Sequence, residues 1–195
     1  MNDDTDLERL HAGLVDRALG ADLLDIAYRT LDSSLGTLLL AATPEGVLRV
    51  AFDTEGHDAV LADLAARVSP RVLHAPARLD AAARGLTDYL EGRVRSLDVP
   101  LDLRLLDGYR KEVVASLSQI AYGQVATYAR VAELTGRPRA VRAVGSACAH
   151  NPVPLLLPCH RVVRSDGSEG GYRGGAAAKH ALLDLEARTL HHTRT

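Results

Sequence analysis

The sequence predicts a small α/β unit followed by a mainly α-helical unit that carries a helix-turn-helix. Two observations predict this order. Between residues 24 and 57, β-rich runs are separated by SSLG and TPEG, which are turn compositions. Between residues 109 and 149, helical patterns are joined by the glycine-containing turn TGRP.

The charge distribution follows the same division. Residues 1–107 hold 11 Lys and Arg against 19 Asp and Glu, whereas residues 108–195 hold 12 against 6. The formal net charge of −2 argues by itself against a nucleic-acid-binding protein, but a basic second half indicates that this half meets a polyanion. Chance drift in composition is the alternative interpretation, and the charges alone leave both open.

The first half is expected to contain an arm, a meander and two helices. Leucines near helical spacing predict a helical arm over residues 1–22, which we expect to be solvated. The β-rich runs predict three strands, HDAVLADLAARV a helix, RVLHAP a strand, and LDAAARGLTDYLEGR a helix that ends near Gly92. We therefore predict an α/β domain at residues 23–95 and an extended linker, with Pro100, at residues 96–107.

The second half is expected to be mostly helical. An amphipathic helix is predicted over residues 109–120. The helix-turn-helix then comprises one helix from an N-cap at Thr127 to Leu134, and a second from Pro138, a favoured first helical residue, to Ala149. After PCHR, SDGSEGGYRGG predicts a glycine-rich loop and AAKHALLDLEAR a final helix.

Several classes of protein and site are not expected. No apolar run approaches the roughly 18 to 20 residues that cross a bilayer, and MNDDTDLERL lacks the pattern of a targeting segment. The two cysteines are Cys148 and Cys159, and no Cys–His cluster has zinc spacing, so we expect neither a metal site nor a cofactor. A disulfide between them is an alternative, but a reducing, cytoplasmic location is the expectation.

The second helix of the predicted pair has unusually small residues. Residues 143–149 read AVGSACA, and a glycine inside a helix costs about 1 kcal/mol relative to alanine. Arg139 and Arg142 are three residues apart and share a predicted helix face with Ser146. Such a slim, basic face would fit the DNA minor groove, which is only about 6 Å wide. A tightly packed core helix with surface arginines is the alternative, and spacing does not decide between them.

The string LLLPCHRVV, residues 155–163, places a cysteine beside a histidine after a proline. Cys159 is a candidate nucleophile, but a thiol with a pKa of about 8.5 needs a nearby base or cation to ionise at neutral pH. In an extended chain His160 points away from Cys159, so a bridging water or a turn is required. A purely structural buried cysteine is the alternative. The carboxylate that would orient the histidine is one of Asp166, Glu169, Asp184 and Glu186.

Several strings together resemble the O6-alkylguanine-DNA alkyltransferases, or methylated-DNA–protein-cysteine methyltransferases. These strings are RAVGSACAHNPVPLLLPCHRVV, GGYRGG and KHALLDLEA, and the pattern NPxPxxxPCHRVV within the first is highly specific. The resemblance is dense over residues 109–188 and less specific over residues 24–100, where it implies a ribonuclease-H-like fold with a small, mainly antiparallel sheet. It implies that residues 108–195 form the DNA-binding and alkyl-transfer domain.

The resemblance also implies roles in the reaction for individual residues. Cys159 matches the alkyl-accepting nucleophile, His160 the base that acts through a water, and Glu186 the carboxylate that orients this histidine. Asn151 matches an asparagine that braces the turn before the cysteine, and Tyr128 a tyrosine that contacts the rotated base.

Further residues are expected to contact the DNA and the base. Arg142 matches the finger that replaces the extruded base in the stack. Additional DNA contacts are expected from Tyr128, Arg137, Arg139, Ala143 and Ser146. Tyr172, Arg173 and Val162 are expected at the base pocket, and Cys148 is expected only to pack. Some relatives carry serine where this chain has Arg173, so the preferred alkyl size is left open.

The function implied by the resemblance is direct reversal of alkylation damage in duplex DNA. O6-alkylguanine, and O4-alkylthymine, would give up their alkyl group irreversibly to Cys159, so each molecule would react once. The expected partner is lesion-containing duplex DNA, bound by a monomer that can act cooperatively. A non-enzymatic lesion sensor or helix-turn-helix regulator is one alternative, although residues 143–149 lack the long polar side chains of a recognition helix. A thiol hydrolase that uses Cys159 and His160 is another.

Overall fold

The computed structural model describes residues 3–21 and 23–192, and at several positions of the two terminal helices it describes only the backbone. The helices are α1 (Asp3–Gly20), α2 (His57–Arg67), α3 (Asp80–Leu90), α4 (Gly108–Ser116), α5 (Tyr128–Leu134), α6 (Val141–Ala149) and α7 (Gly175–His192). The strands are β1 (Ile26–Leu31), β2 (Leu38–Thr43), β3 (Gly46–Phe52), β4 (Val72–His74), β5 (Ala126–Thr127) and β6 (Val162–Val163). Four 3-10 turns occupy Asp53–Glu55, Pro76–Leu79, Leu117–Gln119 and Cys159–Arg161.

The sheet of the first half has four strands in the order β3-β2-β1-β4. The predicted meander is confirmed, because β1 with β2 and β2 with β3 pair antiparallel, while the short β4 runs parallel to β1. Every residue of β2 is buried, since apolar side chains cover both faces of the sheet. Leu38 and Leu40 join the main core, whereas Ala41 faces a smaller cluster with Leu64 of α2.

The segment predicted as a linker follows the edge of the sheet. The backbone amide of Val47 donates to the carbonyl of Pro100 at 2.8 Å, and the amide of Asp102 donates to the carbonyl of Val47 at 2.9 Å. Gly46 permits this approach, because a Cβ there would lie 2.4 Å from the backbone of Pro100. The hydroxyl of Thr43 donates to the buried carboxylate of Asp102 at 2.6 Å. The connection is therefore held along β3, and the domain boundaries near residues 95 and 107 remain predictions.

Helix α1 lies where a solvated arm was expected. Leu10 and Leu14 are exposed, whereas Val15 and Ala18 pack against a small cluster that includes Leu24. One side of the helix therefore contacts the sheet domain, because these apolar residues lose water by packing there. Residues 1, 2 and 22 of the predicted arm lie outside the described residues.

The helix-turn-helix is present, but its second helix starts later than predicted. Thr127 caps α5 as expected, because its side chain accepts a hydrogen bond from the amide of Arg130. The expectation that the second helix begins at Pro138 is wrong, since α6 begins at Val141. The amide of Ala140 donates to the carbonyl of Arg137 at 2.8 Å, which closes a tight turn and leaves Pro138 outside the helix.

One hydrophobic core connects the two halves. It contains Leu86 and Tyr89 of α3, Val113 of α4, Val144 of α6 and Leu182 of α7. Each such aliphatic side chain contributes roughly 1.5–3 kcal/mol when it leaves water. The shared core places α3 of the first half directly behind the segment that carries Cys159 and His160.

Candidate active site

The segment between α6 and β6 is buried throughout. Residues 151–163 are all buried, and within them Leu155 has a φ of +73°, which is rare for a residue with a side chain. Asn151 braces the segment: its side-chain amide donates to the carbonyl of Leu157 at 2.8 Å, and its side-chain oxygen accepts from the amide of Val153 at 3.0 Å. The prolines and Asn151 thus bend the chain so that the 3-10 turn at Cys159–Arg161 faces inward.

The thiol of Cys159 lies in this buried turn. The residue is only 3% exposed, and Asn151 donates to its Sγ at 3.2 Å. Burial raises the pKa of Cys159 to about 11, although the Asn151 hydrogen bond and the positive charge of Lys179 act in the opposite direction. The sulfur is therefore a protonated thiol at neutral pH unless a base removes its proton.

Of the four candidate carboxylates, the structure brings Glu186 to His160. The Nε2 of His160 lies 2.9 Å from the Oε1 of Glu186, and both side chains are buried. Asp166 instead bonds with Ser168, and Glu169 and Asp184 lie near His180. Since α7 contributes Glu186 from 26 residues away, sequence spacing could not identify it.

Glu186 accepts hydrogen bonds from several groups besides His160. Arg161 binds it through Nε at 3.0 Å and a terminal nitrogen at 2.9 Å, and the amide of Gly123 donates to it at 2.7 Å. The hydroxyl of Tyr89 donates to its Oε1. Burial acts to raise the pKa of Glu186, but the bonds from His160, Arg161 and Tyr89 outweigh it and hold the pKa at about 2. The carboxylate is therefore ionised at neutral pH.

His160 is held as a neutral imidazole at neutral pH. Burial lowers its pKa, against the opposing effect of Glu186. Because a carboxylate only accepts hydrogen bonds, the proton of the neutral ring is assigned to Nε2. The Nδ1 atom is buried and has no hydrogen-bond partner among the described residues. With the proton on Nε2, Nδ1 is the ring nitrogen that keeps a lone pair free to accept a proton.

Lys179 is a buried cation that the sequence reasoning missed. Its side chain is fully buried, and its Nζ donates to the carbonyl of Val162 at 2.6 Å. Burial lowers the pKa of Lys179, while the cysteines nearby act to raise it. Arg161 was also missed, although both residues stand inside the strings that carry the family resemblance.

The glycine-rich loop brings Tyr172 beside the site. The Tyr172 ring packs edge-on against His160, with centroids 6.2 Å apart, and against Phe52 at 5.6 Å. Gly174 allows this contact, because a Cβ there would lie 2.6 Å from the Phe52 ring. Val162, the third residue expected at the base pocket, is fully buried on β6.

Arg173 is held by the first half of the chain. Its Nε and a terminal nitrogen of Arg49 both bind Oε2 of Glu55, which follows β3. Arg49 also donates to the carbonyl of Pro152 at 3.1 Å. These bonds tie the loop after the Cys159 segment to the sheet domain, and no local sequence pattern signalled the part played by Glu55.

Tyr128 stands at the start of α5, on the other side of the loop. It is half-buried, and burial raises its pKa. A Cβ at Gly170 would lie 2.9 Å from the Tyr128 hydroxyl, so glycine permits the loop to approach this tyrosine. Tyr128 therefore contacts the glycine-rich loop, and Tyr172 is part of that loop.

Helix α6 combines a packed face with an exposed slim face. Val144, Ala147 and Cys148 are buried, so Cys148 packs in the core as expected. The exposed residues are Val141, Arg142, Ala143, Ser146 and Ala149, of which the three after Arg142 are small. The sequence allowed either a tightly packed core helix or a slim face for the DNA minor groove. The small residues of α6 fit both, since they allow close packing on the inner face and leave a narrow outer face.

The two other predicted arginines lie in the turn before α6. The expectation that Arg139 shares a helix face with Arg142 is wrong, because α6 begins after Arg139. Both Arg137 and Arg139 are exposed. The guanidinium of Arg137 lies 4.4 Å from the Tyr109 ring centroid and 3.6 Å from the carboxylate of Glu112. The exposed basic surface thus comprises the turn and the first residues of α6.

The described part of the chain has neither a cluster of metal-ligating side chains nor a helix that could span a membrane. Within residues 3–21 and 23–192, no group of three His, Cys, Asp or Glu side chains is placed to hold a metal ion. In the same part of the chain no helix has the length and apolar character needed to cross a bilayer.

Comparison with known proteins identifies matches over both halves. Residues 26–103 match the ribonuclease-like domain of 6-O-methylguanine DNA methyltransferase, and residues 108–188 match the DNA-binding domain of the same family. A methylated-DNA–protein-cysteine methyltransferase of Mycobacterium tuberculosis is 38% identical over 167 residues, which is 83% of this chain and 92% of that protein. The bifunctional transcriptional activator and DNA repair enzyme Ada of Escherichia coli is 36% identical over 86% of this chain and 47% of its own length.

Solved structures give the same result. The O6-methylguanine methyltransferase of Mycobacterium tuberculosis superposes with a TM-score of 0.74 at 33% identity, over 84% of this chain and 94% of that one. A structure of the same enzyme in complex with DNA gives a TM-score of 0.72 over the same shares. The predicted two-part fold is therefore confirmed.

Proposed function

The chain belongs to the 6-O-methylguanine DNA methyltransferase family, and from that premise we propose that Cys159 accepts the alkyl group of O6-alkylguanine, and of O4-alkylthymine, in duplex DNA. The observation that carries the proposal is the buried group of Cys159, His160 and Glu186, in which His160 contacts Glu186. Cys159 and His160 follow helix α6, which has a slim, exposed face. No single element supplies the buried group, since its members come from the turn after α6 and from α7.

DNA binding is assigned to the turn before α6 and to the exposed face of α6. Arg137 and Arg139 neutralise phosphates, while Ala143 and Ser146 allow α6 to enter the narrow minor groove. Because Cys159 is only 3% exposed, a base stacked inside the duplex does not reach its sulfur. The damaged nucleotide therefore rotates out, and Arg142 fills the space that it leaves.

The chemical step begins with removal of the thiol proton. The proton passes from Cys159 through a water to Nδ1 of His160, and Glu186 stabilises the resulting imidazolium through Nε2. The thiolate then attacks the alkyl carbon: an S–C bond forms, the C–O6 bond breaks, and its electron pair leaves with the guanine. Tyr128 donates a hydrogen bond or proton to the departing base. Tyr172, Arg173 and Val162 line the base pocket.

The product explains why each molecule reacts once. The thioether at Cys159 has no leaving group at neutral pH, so hydrolysis does not regenerate the thiol. The protein is thus a stoichiometric reagent that acts as a monomer on lesion-containing DNA, with cooperative binding along the duplex as a further part of the proposal.

The decisive experiment incubates the protein with duplex DNA that contains O6-methylguanine. The intact mass should increase by one methyl group, and Cys159→Ala should abolish the increase. Many products per protein molecule would support a thiol hydrolase instead. Tight binding of the lesion without a change in mass would support a lesion sensor or regulator.

A further inference from the structure

We propose that Tyr89, on α3 of the sheet domain, is a positioning residue of the proton relay formed by Cys159, His160 and Glu186. The Tyr89 hydroxyl orients Glu186 and keeps the ring proton of His160 on Nε2. The inference rests on the proposed function, because it concerns how the base that serves Cys159 is prepared. It extends that function by assigning part of the relay to the first half of the chain.

The geometry places the Tyr89 hydroxyl between the two relay residues. It donates to Oε1 of Glu186, the same oxygen that faces His160, and its oxygen lies 3.2 Å from Nε2 of His160. The tyrosine is 1% exposed, and its ring packs edge-on against Tyr122 with centroids 5.9 Å apart. A buried hydroxyl with this placement has little freedom to point elsewhere.

The hydrogen-bond directions follow from the number of protons available. A phenol has one proton, and the ionised carboxylate of Glu186 only accepts, so the Tyr89 proton is used in the bond to Glu186. The phenol oxygen then faces Nε2 of His160 as an acceptor. Both neighbours of Nε2 are therefore acceptors, which favours the proton at Nε2 and leaves the lone pair on Nδ1, the atom required as base.

The charge around His160 gives the expected sign of a pH effect. The groups facing it are Glu186 and Lys179 of α7, Arg161 of the 3-10 turn, Tyr172 of the loop, and Tyr89 of α3, and Cys159 precedes it in the turn. By donating to Oε1, the Tyr89 hydroxyl reduces the negative charge that Glu186 presents to the ring. Its removal should raise the pKa of His160, so that the base becomes protonated at a higher pH than in the parent protein.

The test is alkyl transfer from O6-methylguanine duplex to Tyr89→Phe, measured in single-turnover experiments across pH. This variant keeps the buried ring and loses only the hydroxyl. We expect the rate constant at neutral pH to fall about tenfold, the lower end of the range for loss of one hydrogen bond to a charged group, and the acid limb of the profile to move to higher pH. Affinity for the duplex should stay unchanged, since Tyr89 is buried in the core.

Tyr122→Phe is the matched control. Its hydroxyl is also buried beside Tyr89, but it has no hydrogen-bond partner among the described residues. The control should retain the parent rate and the parent pH profile. A parent-like rate and profile in Tyr89→Phe would overturn the inference, and so would equal changes in both variants.

Failure of the proposed alkyl transfer can be distinguished from failure of the Tyr89 inference. If the parent protein gains no methyl group, the proposed function itself is wrong, whatever Tyr89 does. If Tyr89→Phe does not fold, the parent labelled with ¹⁵N-histidine provides the test by NMR. A cross-peak between the Tyr89 hydroxyl proton and the Nε2 proton of His160 is expected, and its absence where both protons are resolved would overturn the inference.

Discussion

At the scale of single residues, the reactivity of Cys159 depends on its neighbours. With its pKa raised to about 11, roughly one thiol in ten thousand is ionised at pH 7. Asn151 and Lys179 favour the thiolate, but burial outweighs them. The neutral ring of His160 and the ionised carboxylate of Glu186 therefore have to supply the driving force for ionisation.

Glu186→Gln should slow alkyl transfer by roughly 100-fold, because the amide does not stabilise an imidazolium as a carboxylate does. Duplex affinity should remain nearly intact, since Glu186 is buried away from the surface of α6. Single-turnover kinetics and a DNA-binding titration measure the two effects separately. Glu169→Gln is the control, because that carboxylate pairs with exposed His180. Equal losses of rate and affinity would contradict the assigned role.

At the scale of elements, the short helix α6 both packs in the core and presents an exposed face with Arg142. Its inner face packs Val144 and Ala147 against neighbouring helices, and its outer face carries Arg142 beside small residues. Small side chains satisfy both requirements, since they allow close packing on either side.

Arg142→Ala should reduce reaction with duplex O6-methylguanine at least tenfold, while reaction with free O6-benzylguanine changes little. The reason is that a free base does not need to be rotated out of a helix. Comparing the two substrates by intact mass against time checks the expectation. Arg93→Ala removes an exposed arginine next to α3 and should affect neither substrate. Equal impairment with both substrates would argue against a role in base rotation.

The junction after β3 is a second element with a specific task. Glu55 binds both the buried Arg49 and the loop residue Arg173. Glu55→Gln should destabilise the protein by about 3 kcal/mol in urea unfolding, because it leaves the Arg49 charge buried without its partner. Adding Arg49→Met should recover much of this loss, since an apolar side chain then replaces the unpaired charge. No recovery in the double variant would show that the pair is not the source of the effect.

At the scale of the whole molecule, the relay also makes folding sensitive to acid. The pKa of Glu186 is lowered from 4.5 to about 2, so its contribution to stability is present above pH 4.5 and is lost as the pH falls toward 2. The pKa of His160 is also lowered by burial, so protonation of the unfolded chain begins to favour unfolding below about pH 6.5. Protonation of Glu186 and of His160 therefore each lowers the free energy of unfolding as the pH falls.

Urea unfolding at pH 7.5, 5.5 and 4.0 should show stability decreasing with each step in the parent protein. In Glu186→Gln the decrease between pH 5.5 and 4.0 should be smaller, because glutamine does not titrate. A parent whose stability is constant over this range would show that neither buried group differs from its unfolded state. The parent protein and Glu186→Gln share all other titratable groups, so the difference between their pH dependences reports on Glu186.

Local sequence patterns determined much of this protein. Turn compositions and β-rich runs predicted the three-stranded meander, the Thr127 cap predicted the start of α5, and the PCHR string supplied the proposed nucleophile. These features depend on neighbours within a few residues. The start of the second helix was mispredicted because Pro138 suits the first turn of a helix and also a tight turn, and the Arg137–Ala140 hydrogen bond decided for the turn.

The tertiary structure alone selected the partners of the proposed catalytic residues. It chose Glu186 among four carboxylates, tied Arg173 to Glu55, and brought Tyr89 to Glu186 across 97 residues of chain. Sequence spacing carries no signal for such contacts, because they arise when α3, α7 and the cysteine segment share one core. The proposed nucleophile is thus indicated by the sequence, whereas the side chains of the proposed proton relay come together only after the two halves have packed.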